Sequence, residues 1–397
     1  MHTFAKSFLS QGIACINQRG TANLSGRTRF AVGSVGRLSL RALLETRSCP
    51  APSVMAKAGA SGGTAAIGSD QVLLFCDWLN RQLWYDHLRA AGVPVAWTEE
   101  IQDWASVRYA IGWNFTADVL SKMPGLRAVA SMGAGVDHAI GPGIIPPGVE
   151  IVRIVDPLMA QRMATWVMWA VINFQRKMDL YGKAQAERRW DKKIENLKPW
   201  DNGEVRVGIM GFGVMGQATS RLLVAAGYNV AAWARTRRTP PPVEATEANG
   251  CSAAAGVEGV RVYAGREELR QFVERSDILV CLLPLTPETE GIIDGEVLSW
   301  LPPGAGVINA ARGRHVDEAA LIKALDEGHV GGAILDVFTT EPLPPESPLW
   351  SHPRIRITPH VSSITDVPNA VAQISENYRR LVSGLPLLNV VNKAAGY

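Results

Sequence analysis

Cysteines, long apolar runs and metal-binding patterns are scarce in this chain of 397 residues. It has five cysteines, with no C-x-x-C pair and no spacing typical of a metal site, which indicates reduced thiols in a non-secreted protein without a bound metal. No apolar run reaches the ~18 residues that a membrane-spanning helix needs, so we expect no membrane partner. The length suffices for two domains with sizeable cores.

Acidic residues are nearly absent from residues 1–69, where one Glu stands against eight Lys or Arg. The whole chain has a net charge of only +3, so the basic excess belongs to this leader and does not indicate a nucleic-acid partner. The leader is rich in Ser and Thr and lacks a long apolar segment, which is typical of an organellar transit peptide for a chloroplast or mitochondrion. Two alternatives stay open: a disordered tail, or a cytosolic protein that starts at Met55.

A glycine fingerprint follows the apolar run 205–210, which is typical of a buried parallel strand. Gly211, Gly213 and Gly216 are spaced G-x-G-x-x-G, and a helical pattern begins directly after them. The first glycine allows a tight turn, the second lets backbone approach a pyrophosphate, and the third lets helix and strand pack closely. The helix N-terminus supplies N–H donors to the phosphates. The order strand–turn–helix predicts a dinucleotide-binding domain.

The corner after the next strand bears on which nicotinamide cofactor binds. An NAD-preferring site usually has Asp or Glu about 20 residues after the glycines, where it binds the ribose 2′-hydroxyl. This chain has no carboxylate there and has Arg235, Arg237 and Arg238 instead. Because guanidinium groups bind a 2′-phosphate through paired hydrogen bonds, we predict that NADP(H) is preferred. NAD(H) stays possible, since the arginines could form only a solvated surface cluster.

Three polar residues each follow a predicted parallel strand: Arg312, Glu341 and His360. In an open α/β sheet, ligands bind outside the carboxyl ends of the strands, so these side chains can converge. Reduction of a 2-oxo acid needs a cation for the carboxylate and the carbonyl oxygen, which Arg312 can supply. It also needs a proton donor, and an imidazole that is oriented by a carboxylate suits that role. We predict a catalytic site with these three residues.

The chain after residue 70 alternates apolar runs with helical patterns, which predicts an α/β architecture with parallel sheets. A helix is expected over 81–92. A longer helix is expected over 158–180, where apolar residues surround the axis almost completely and indicate burial between domains or subunits. The segment 239–259 contains three consecutive prolines and many small residues, which is typical of a surface insertion.

Seven motifs resemble those of the D-2-hydroxyacid dehydrogenases, most closely their glyoxylate/hydroxypyruvate reductase A branch. They extend over the chain from about residue 72 to its end: GAGVDH (133–138), GFGVMG (211–216), AGREEL (264–269), LLPLTPETEGII (282–293), NAARGRHVDEAAL (309–321), LDVFTTEPLPPESPLW (335–350) and ITPHVSSIT (357–365).

The resemblance implies a two-domain α/β fold: a Rossmann-type doubly wound parallel sheet plus a smaller flavodoxin-like α/β substrate domain. The leader then ends at residue 69, the substrate domain begins with 70–155, and the dinucleotide-binding domain covers 156–362. Residues 363–397 return to the substrate domain. Closure of the cleft between the domains would exclude water from the reaction.

The resemblance also implies a role for each site residue. Arg312 orients the substrate, His360 is the acid/base and Glu341 is its partner. Backbone N–H groups of Ala134 and Gly135 bind the substrate carboxylate, and Trp113 forms the aromatic wall of a small pocket. Further cofactor contacts are expected from Val214, Met215, Pro284, Ala310 and Asp336, the last through the nicotinamide carboxamide.

We therefore expect NADPH-dependent reduction of glyoxylate to glycolate or of hydroxypyruvate to D-glycerate, in a chain that forms a homodimer. One alternative is an NADH-dependent dehydrogenase for bulkier 2-oxo acids. Another is a nucleotide-sensing binding protein of the same fold without catalytic activity. Two features depart from the family pattern: the length of the 239–259 insertion and the helix start at Asp156-Pro157-Leu158. His315 and His352 are expected to be structural and His329 to lie on the surface, whereas His138 could line the pocket or cap a turn.

Overall fold

The computed structural model describes residues 71–76, 80–140, 145–197, 201–236 and 257–393. The basic leader, most of the Pro-rich insertion and the side chain of His138 lie outside these parts. The described residues form two parallel sheets with flanking helices. Among their helices, none combines the length and the apolar character needed to cross a bilayer.

The first sheet contains five short strands that are all parallel, in the order β2-β1-β3-β4-β5. This is the flavodoxin-like order, as predicted. The strands are buried almost throughout, which explains why they are continuous apolar runs in the sequence. The strands are β1 Val72–Phe75, β2 Val95–Ala96, β3 Tyr109–Gly112, β4 Ala128–Ser131 and β5 Glu150–Val152, and the helices among them are α1 Arg81–Ala90, α2 Ala117–Ser121 and α3 Asp137–Ile140.

The second sheet contains seven parallel strands in the order β12-β11-β10-β9-β6-β7-β8. The first strand of this sheet, β6, lies in its interior, and the later strands are added on both sides of it, which is the Rossmann arrangement. The strands are β6 Arg206–Met210, β7 Asn229–Ala234, β8 Arg261–Ala264, β9 Ile278–Cys281, β10 Ala305–Asn309, β11 Val330–Leu335 and β12 Ile355–Ile357. Its helices are α4 Pro157–Gln175, α5 Met178–Ala186, α6 Val214–Ala225, α7 Leu269–Glu274, α8 Gly295–Ser299 and α9 Glu318–Asp326.

Each face of the second sheet has its own core, because successive side chains of a strand point to opposite faces. Leu279 and Val307 lie in one core and Val280 and Ile308 in the other. Helix α4 covers the second of these cores. The two sheets together confirm the predicted α/β class with a Rossmann-type and a flavodoxin-like half.

The C-terminal segment packs on the first sheet. Helix α10 (Val367–Val382) places Ala370 and Ile374 in the same core as β1 and β3. The Tyr109 hydroxyl donates a hydrogen bond to the Ile374 carbonyl over 3.4 Å. Farther along, the Val391 N–H donates to the Ile151 carbonyl over 2.8 Å. The chain thus returns to the sheet that it formed first.

The single helix expected over 158–180 is divided in two. Helix α4 ends at Gln175 and α5 begins at Met178, because Lys177 adopts a left-handed conformation with φ 50°. Only one face of α4 is buried in the chain, through residues such as Val167 and Val171 at 0% exposure. Trp169 and Ile172, on another face, are 42% and 40% exposed. One face of α4 is therefore buried within the described chain, and burial of the other face between subunits stays a prediction.

Candidate active site

The turn between β6 and α6 contains the three glycines of the predicted fingerprint. Gly211 has φ 103°, and a Cβ there would lie 2.6 Å from the Leu282 carbonyl oxygen. A Cβ on Gly216 would overlap the carbonyl of Gly211, so only glycine lets the helix pack this closely on the turn. Around Gly213, by contrast, a Cβ would meet no heavy atom within 4 Å. This glycine borders an open space.

Helix α6 begins directly at this open space. Gly213 is its N-cap residue, and Val214 in its first turn is 52% exposed. The N–H groups of a first helical turn have no carbonyl partner within the helix and carry the positive end of its dipole. A phosphate could therefore approach them from the solvent side. The fingerprint residues thus leave room for the phosphates of a dinucleotide, and their contact with it stays a prediction.

The corner after β7 contains Arg235, one of the three arginines predicted to select NADP(H). Its Nη1 lies 3.4 Å from Oε2 of Glu288, and its side chain is 39% exposed. Hydrogen bonds from Thr286 and from Arg235 hold the pKa of Glu288 below its usual range. Arg237 and Arg238 lie outside the described residues. One guanidinium is therefore present where the ribose 2′-phosphate is expected.

His360 and Glu341 meet at the carboxyl ends of neighbouring strands, where β12 and β11 terminate. The imidazole Nδ1 lies 2.7 Å from Glu341 Oε2, and Glu341 Oε1 accepts a hydrogen bond of 2.9 Å from the Phe338 N–H. Partial burial raises the pKa of Glu341, but the hydrogen bonds from His360 and Phe338 and the charge of Arg312 outweigh it, and the net pKa lies below its usual value. The carboxylate is therefore ionised at neutral pH beside the imidazole.

Asp336 organises the loop that carries His360. Its carboxylate accepts hydrogen bonds from the Thr358 hydroxyl and from the N–H groups of Val361 and Ser362. Its carbonyl accepts the N–H of His360 over 2.8 Å, and His360 has a left-handed φ of 54°. The side chain of Asp336 is 0% exposed. These contacts give Asp336 a structural role that the sequence did not predict, while its contact with the nicotinamide stays a prediction.

Arg312 follows β10 and reaches across to the first sheet. Its Nε and Nη2 both lie 2.9 Å from Oδ1 of Asp137, and Nη1 donates to the Ala311 carbonyl over 2.7 Å. A Cβ on Gly135 would overlap Arg312 Nη2, so the guanidinium lies directly on the loop that follows β4. The predicted cation is thus held against the predicted carboxylate-binding backbone.

The loop after β4 is itself held by Ser131. The Ser131 hydroxyl accepts the N–H of Gly133 over 3.2 Å and donates to the Gly135 carbonyl over 3.0 Å. The ring of Trp113 packs on Gly133, where a Cβ would lie 2.9 Å from Cζ3 of the ring. The Trp113 ring and the Arg312 guanidinium therefore both contact the loop after β4.

A buried histidine, His315, contacts the backbone of Arg312. His315 is 0% exposed, and its Nδ1 lies 3.2 Å from the Arg312 N–H nitrogen. Its Nε2 lies 3.3 Å from the carbonyl oxygen of Pro284. Burial lowers the pKa of His315, so its ring is neutral near pH 7. The Asn309 amide also donates to the Arg312 carbonyl over 2.8 Å. His315 is thus structural, as expected, although it touches two predicted site residues.

The remaining predicted cofactor residues line the same edge of the second sheet. Pro284 is exposed, and its carbonyl accepts the Thr289 hydroxyl over 2.7 Å. Ala310 is buried directly after β10, and Met215 packs against the cores of both sheets. His352, by contrast, contacts Asp326 at 3.3 Å, as a residue with a structural role would.

Sequence reasoning missed Asp137, Asn309 and Thr358 as parts of this site. Asp137 belongs to the motif GAGVDH, where the sequence indicates a role only for backbone N–H groups. Asn309 is the last residue of β10, and Thr358 directly follows β12. Their positions at strand ends were the available signal, because such positions face the ligand edge of the sheet.

Comparison with known proteins agrees with this geometry. Residues 168–362 match the family model of the D-isomer specific 2-hydroxyacid dehydrogenases, NAD binding domain. A D-isomer specific 2-hydroxyacid dehydrogenase from Xanthobacter autotrophicus Py2, solved with NADPH and MES, is 37% identical with a TM-score of 0.71, over 83% of this chain and 99% of that one.

Two further solved structures are similar over almost their entire length. An NADPH-dependent glyoxylate/hydroxypyruvate reductase from Sinorhizobium meliloti, solved with NADP and sulfate, is 34% identical with a TM-score of 0.70, over 83% of this chain and 100% of that one. A probable 2-hydroxyacid dehydrogenase from Rhizobium etli CFN 42, solved with NADP, HEPES and L(+)-tartaric acid, is 33% identical with a TM-score of 0.70, over 82% and 99%.

Proposed function

The chain belongs to the D-isomer specific 2-hydroxyacid dehydrogenase family, and from this premise we propose that it reduces a small 2-oxo acid, glyoxylate or hydroxypyruvate, with NADPH. The products are glycolate and D-glycerate. The observation that carries the proposal is the hydrogen bond of 2.7 Å between His360 and an ionised Glu341. It supplies a proton donor at the edge of the sheet where Arg312 is held.

Arg312 and the loop after β4 bind and orient the substrate. The guanidinium lies on Gly135, so a carboxylate bound by the N–H groups of Ala134 and Gly135 is also within its reach. The same cation polarises the carbonyl oxygen as negative charge develops there. Trp113 limits the space beside the loop, which favours a small substituent on the 2-oxo acid.

His360 delivers the proton to the carbonyl oxygen of the substrate. Glu341 holds the imidazole in one orientation for this transfer. The ring is 40% exposed along its side chain, so it can exchange protons with solvent between turnovers. NADPH, when bound, supplies the hydride that reduces the carbonyl carbon.

Gly211, Gly213 and Gly216 hold the pyrophosphate at the start of α6, and Arg235 binds the 2′-phosphate. The similarity to structures that contain NADPH or NADP supports this choice of cofactor. NAD(H) fits the same glycine turn and is the slower cofactor in our proposal, since it offers no phosphate to the arginine.

A panel of 2-oxo acids, assayed by the oxidation of NADPH and of NADH, tests the function. We expect kcat/KM to be highest for glyoxylate or hydroxypyruvate and about 10- to 100-fold higher with NADPH, as one charge-assisted contact supports. A preference for bulky 2-oxo acids with NADH would support the alternative dehydrogenase. No turnover of any 2-oxo acid, with tight NADPH binding, would support a nucleotide sensor.

We further propose that the chain forms a homodimer and is imported into an organelle. The exposed apolar residues Trp169 and Ile172 on α4, with Met178 at the start of α5, support a self-association surface. Sedimentation equilibrium of the wild type and of a Trp169→Asp variant tests the dimer.

The proposal of import into an organelle rests on the basic leader alone. N-terminal sequencing of the mature protein from cells tests it.

A further inference from the structure

The contact between Asp137 and Arg312 joins the two sheets at the active site. Asp137 begins α3, which follows β4 of the first sheet, whereas Arg312 follows β10 of the second. The two residues are 175 positions apart in the sequence. The proposed function gives Arg312 the task of binding substrate, but it does not explain what orients the guanidinium.

The geometry of the contact fixes the plane of the guanidinium. Oδ1 of Asp137 accepts a hydrogen bond of 2.9 Å from Nε of Arg312 and lies 2.9 Å from Nη2 in the same ion pair. The side chains are only 25% and 23% exposed, so the pair is screened less than a surface ion pair. Since Nε is one of the bound atoms, rotation about the last side-chain bonds of Arg312 is restricted.

Part of the guanidinium stays available for an anion. An arginine has five N–H groups. Here the one on Nε bonds Asp137, one on Nη1 bonds the Ala311 carbonyl, and Nη2 pairs with the Asp137 carboxylate through charge. Among the described hydrogen bonds, the other N–H groups of Arg312 have no partner. They belong to a guanidinium that lies on Gly135, where the substrate carboxylate is expected.

We infer that Asp137 is a positioning residue for the reaction: it holds the Arg312 guanidinium in the orientation in which its remaining N–H groups face the substrate. The inference rests on the proposed function, because it concerns the residue that binds the substrate. It assigns Asp137 no contact with the cofactor or with the reacting atoms. It also makes the substrate site dependent on the approach of the two sheets, since each contributes one partner.

A double-mutant cycle between Asp137 and Arg312 tests this inference. We expect Asp137→Ala to lower kcat/KM for glyoxylate by about 10- to 100-fold, the range for a hydrogen bond to a charged group. The KM for NADPH should stay within about two-fold, since Asp137 acts only through Arg312. Asp137→Asn retains an oxygen acceptor and should recover part of the loss. In an Arg312→Gln background, Asp137→Ala should cause no further loss.

A matched control separates positioning from general stability. Asp118 forms an ion pair of 3.0 Å with Lys122 on the surface of the same half of the chain. Asp118→Asn should leave both the melting temperature and the kinetics unchanged. A fall in melting temperature of Asp137→Asn without a change in kcat/KM would overturn the inference and assign Asp137 a structural role.

Binding of oxamate, a carboxylate analogue of small 2-oxo acids, gives a readout that needs no turnover. Oxamate binding to the NADPH complex, followed by tryptophan fluorescence, should weaken in Asp137→Ala as much as kcat/KM falls. If the double variant loses the product of the two single losses, the residues act independently and the inference is overturned. Tighter oxamate binding in Asp137→Ala would overturn it as well. The second result would mean that Asp137 competes with the substrate for Arg312. Wild-type protein that binds oxamate but reduces no 2-oxo acid would contradict the proposed function, and the oxamate cycle would still decide the role of Asp137.

Discussion

The imidazole of His360 and the carboxylate of Glu341 lie 2.7 Å apart, although they follow different strands and are separated by 19 positions in the sequence. The bond uses Nδ1 of the ring, so Nε2 is the nitrogen that can face a substrate. The remaining carboxylate oxygen, Oε1, is anchored by the Phe338 N–H. Both oxygens of the Glu341 carboxylate are therefore bonded, and the carboxylate in turn fixes the orientation of the imidazole, as a proton donor requires.

Replacement of His360 by Asn should abolish most of the catalysis. We expect kcat for glyoxylate reduction to fall by about 10²- to 10⁴-fold, the usual contribution of a general acid, because Asn cannot donate a proton with a suitable pKa. The KM for NADPH should change little. Steady-state rates with NADPH measure both values, and a variant that retains near-native kcat would refute the role of His360.

Replacement of Glu341 by Gln should slow the chemical step without weakening the binding of the cofactor. The carboxylate is bonded to the His360 ring at 2.7 Å, and Gln offers a neutral amide in its place without a large change in shape. We expect kcat for glyoxylate reduction to fall, because the proton donor loses the group that orients it. The KM for NADPH should change little. Steady-state rates of both proteins measure these values, and an unchanged kcat would contradict the proposed pairing.

Glu341 also affects stability at low pH. Its pKa in the folded protein is lowered, so its stabilising contribution is complete above the pKa of the unfolded chain. That contribution is lost as the pH falls through the lower, folded pKa. Glu341→Gln should therefore make the acid side of the stability curve less steep, which urea unfolding at several pH values would detect.

Two glycines of the turn before α6 should respond differently to Ala. Gly216→Ala places a Cβ against the carbonyl of Gly211, and we expect a loss of about 1–3 kcal/mol in the free energy of unfolding, as for other overpacked sites. Gly213→Ala meets no atom within 4 Å and has an allowed φ of −80°. It should fold normally but bind NADPH more weakly, because its Cβ occupies the pyrophosphate space. Thermal melting and NADPH titration of both variants test this contrast, and equal melting losses would contradict it.

The strand ends and the glycine turn could be predicted from the sequence because each depends on local pattern. Apolar runs locate the strands, and parallel topology brings their carboxyl ends to one edge. The convergence of Arg312, Glu341 and His360 follows from these two facts alone. The role of Asp137 does not, since it depends on how the two sheets face each other, and no periodicity within either sheet contains that information.

The division of the predicted 158–180 helix has a similar explanation. Lysine is a good helix former, so nothing local indicates that Lys177 leaves the helical conformation. The break follows Phe174, whose ring packs at Gly306 of β10. Tertiary packing on the second sheet therefore accompanies the end of α4, and residue preferences alone could not reveal it.

Arg235 should determine how strongly NADPH is preferred. We expect Arg235→Ala to raise the KM for NADPH by about 10- to 100-fold, because one charge-assisted contact to the 2′-phosphate is lost, and to leave the KM for NADH nearly unchanged. Arg270→Ala is a matched control, since Arg270 forms an exposed ion pair with Glu274 within helix α7. An equal rise in both KM values would show that Arg235 does not contact the phosphate.

Replacement of Glu288, at the same corner, should change the KM for NADPH in the opposite direction. Its carboxylate lies 3.4 Å from Arg235 and its charge opposes that of a phosphate. Glu288→Gln should therefore lower the KM for NADPH, and high salt should reduce the difference because both side chains are exposed. A KM that rises in Glu288→Gln would mean that the carboxylate holds Arg235 in its binding position.

Asp336 should affect both stability and turnover, because its carboxylate is the buried acceptor for the loop of His360. In Asp336→Asn, an amide N–H₂ replaces one oxygen that accepts from Thr358, Val361 or Ser362. A buried donor left without an acceptor costs about 1–3 kcal/mol, and we expect a loss of unfolding free energy in this range. Since His360 is held by the same loop, kcat should fall as well.

The N-cap residue Asp294 serves as the control for this effect of Asp336. Its carboxylate accepts the Val297 N–H over 2.9 Å at the start of α8, so Asp294→Ala should also reduce stability, by about 0.5–2 kcal/mol, but leave kcat unchanged. A direct contact of Asp336 with the nicotinamide predicts more, namely a higher KM for NADPH in Asp336→Asn. If kcat falls while this KM stays constant, Asp336 acts through the position of His360. If both change, it acts on the cofactor too, and a variant with unaltered kcat would remove it from the site.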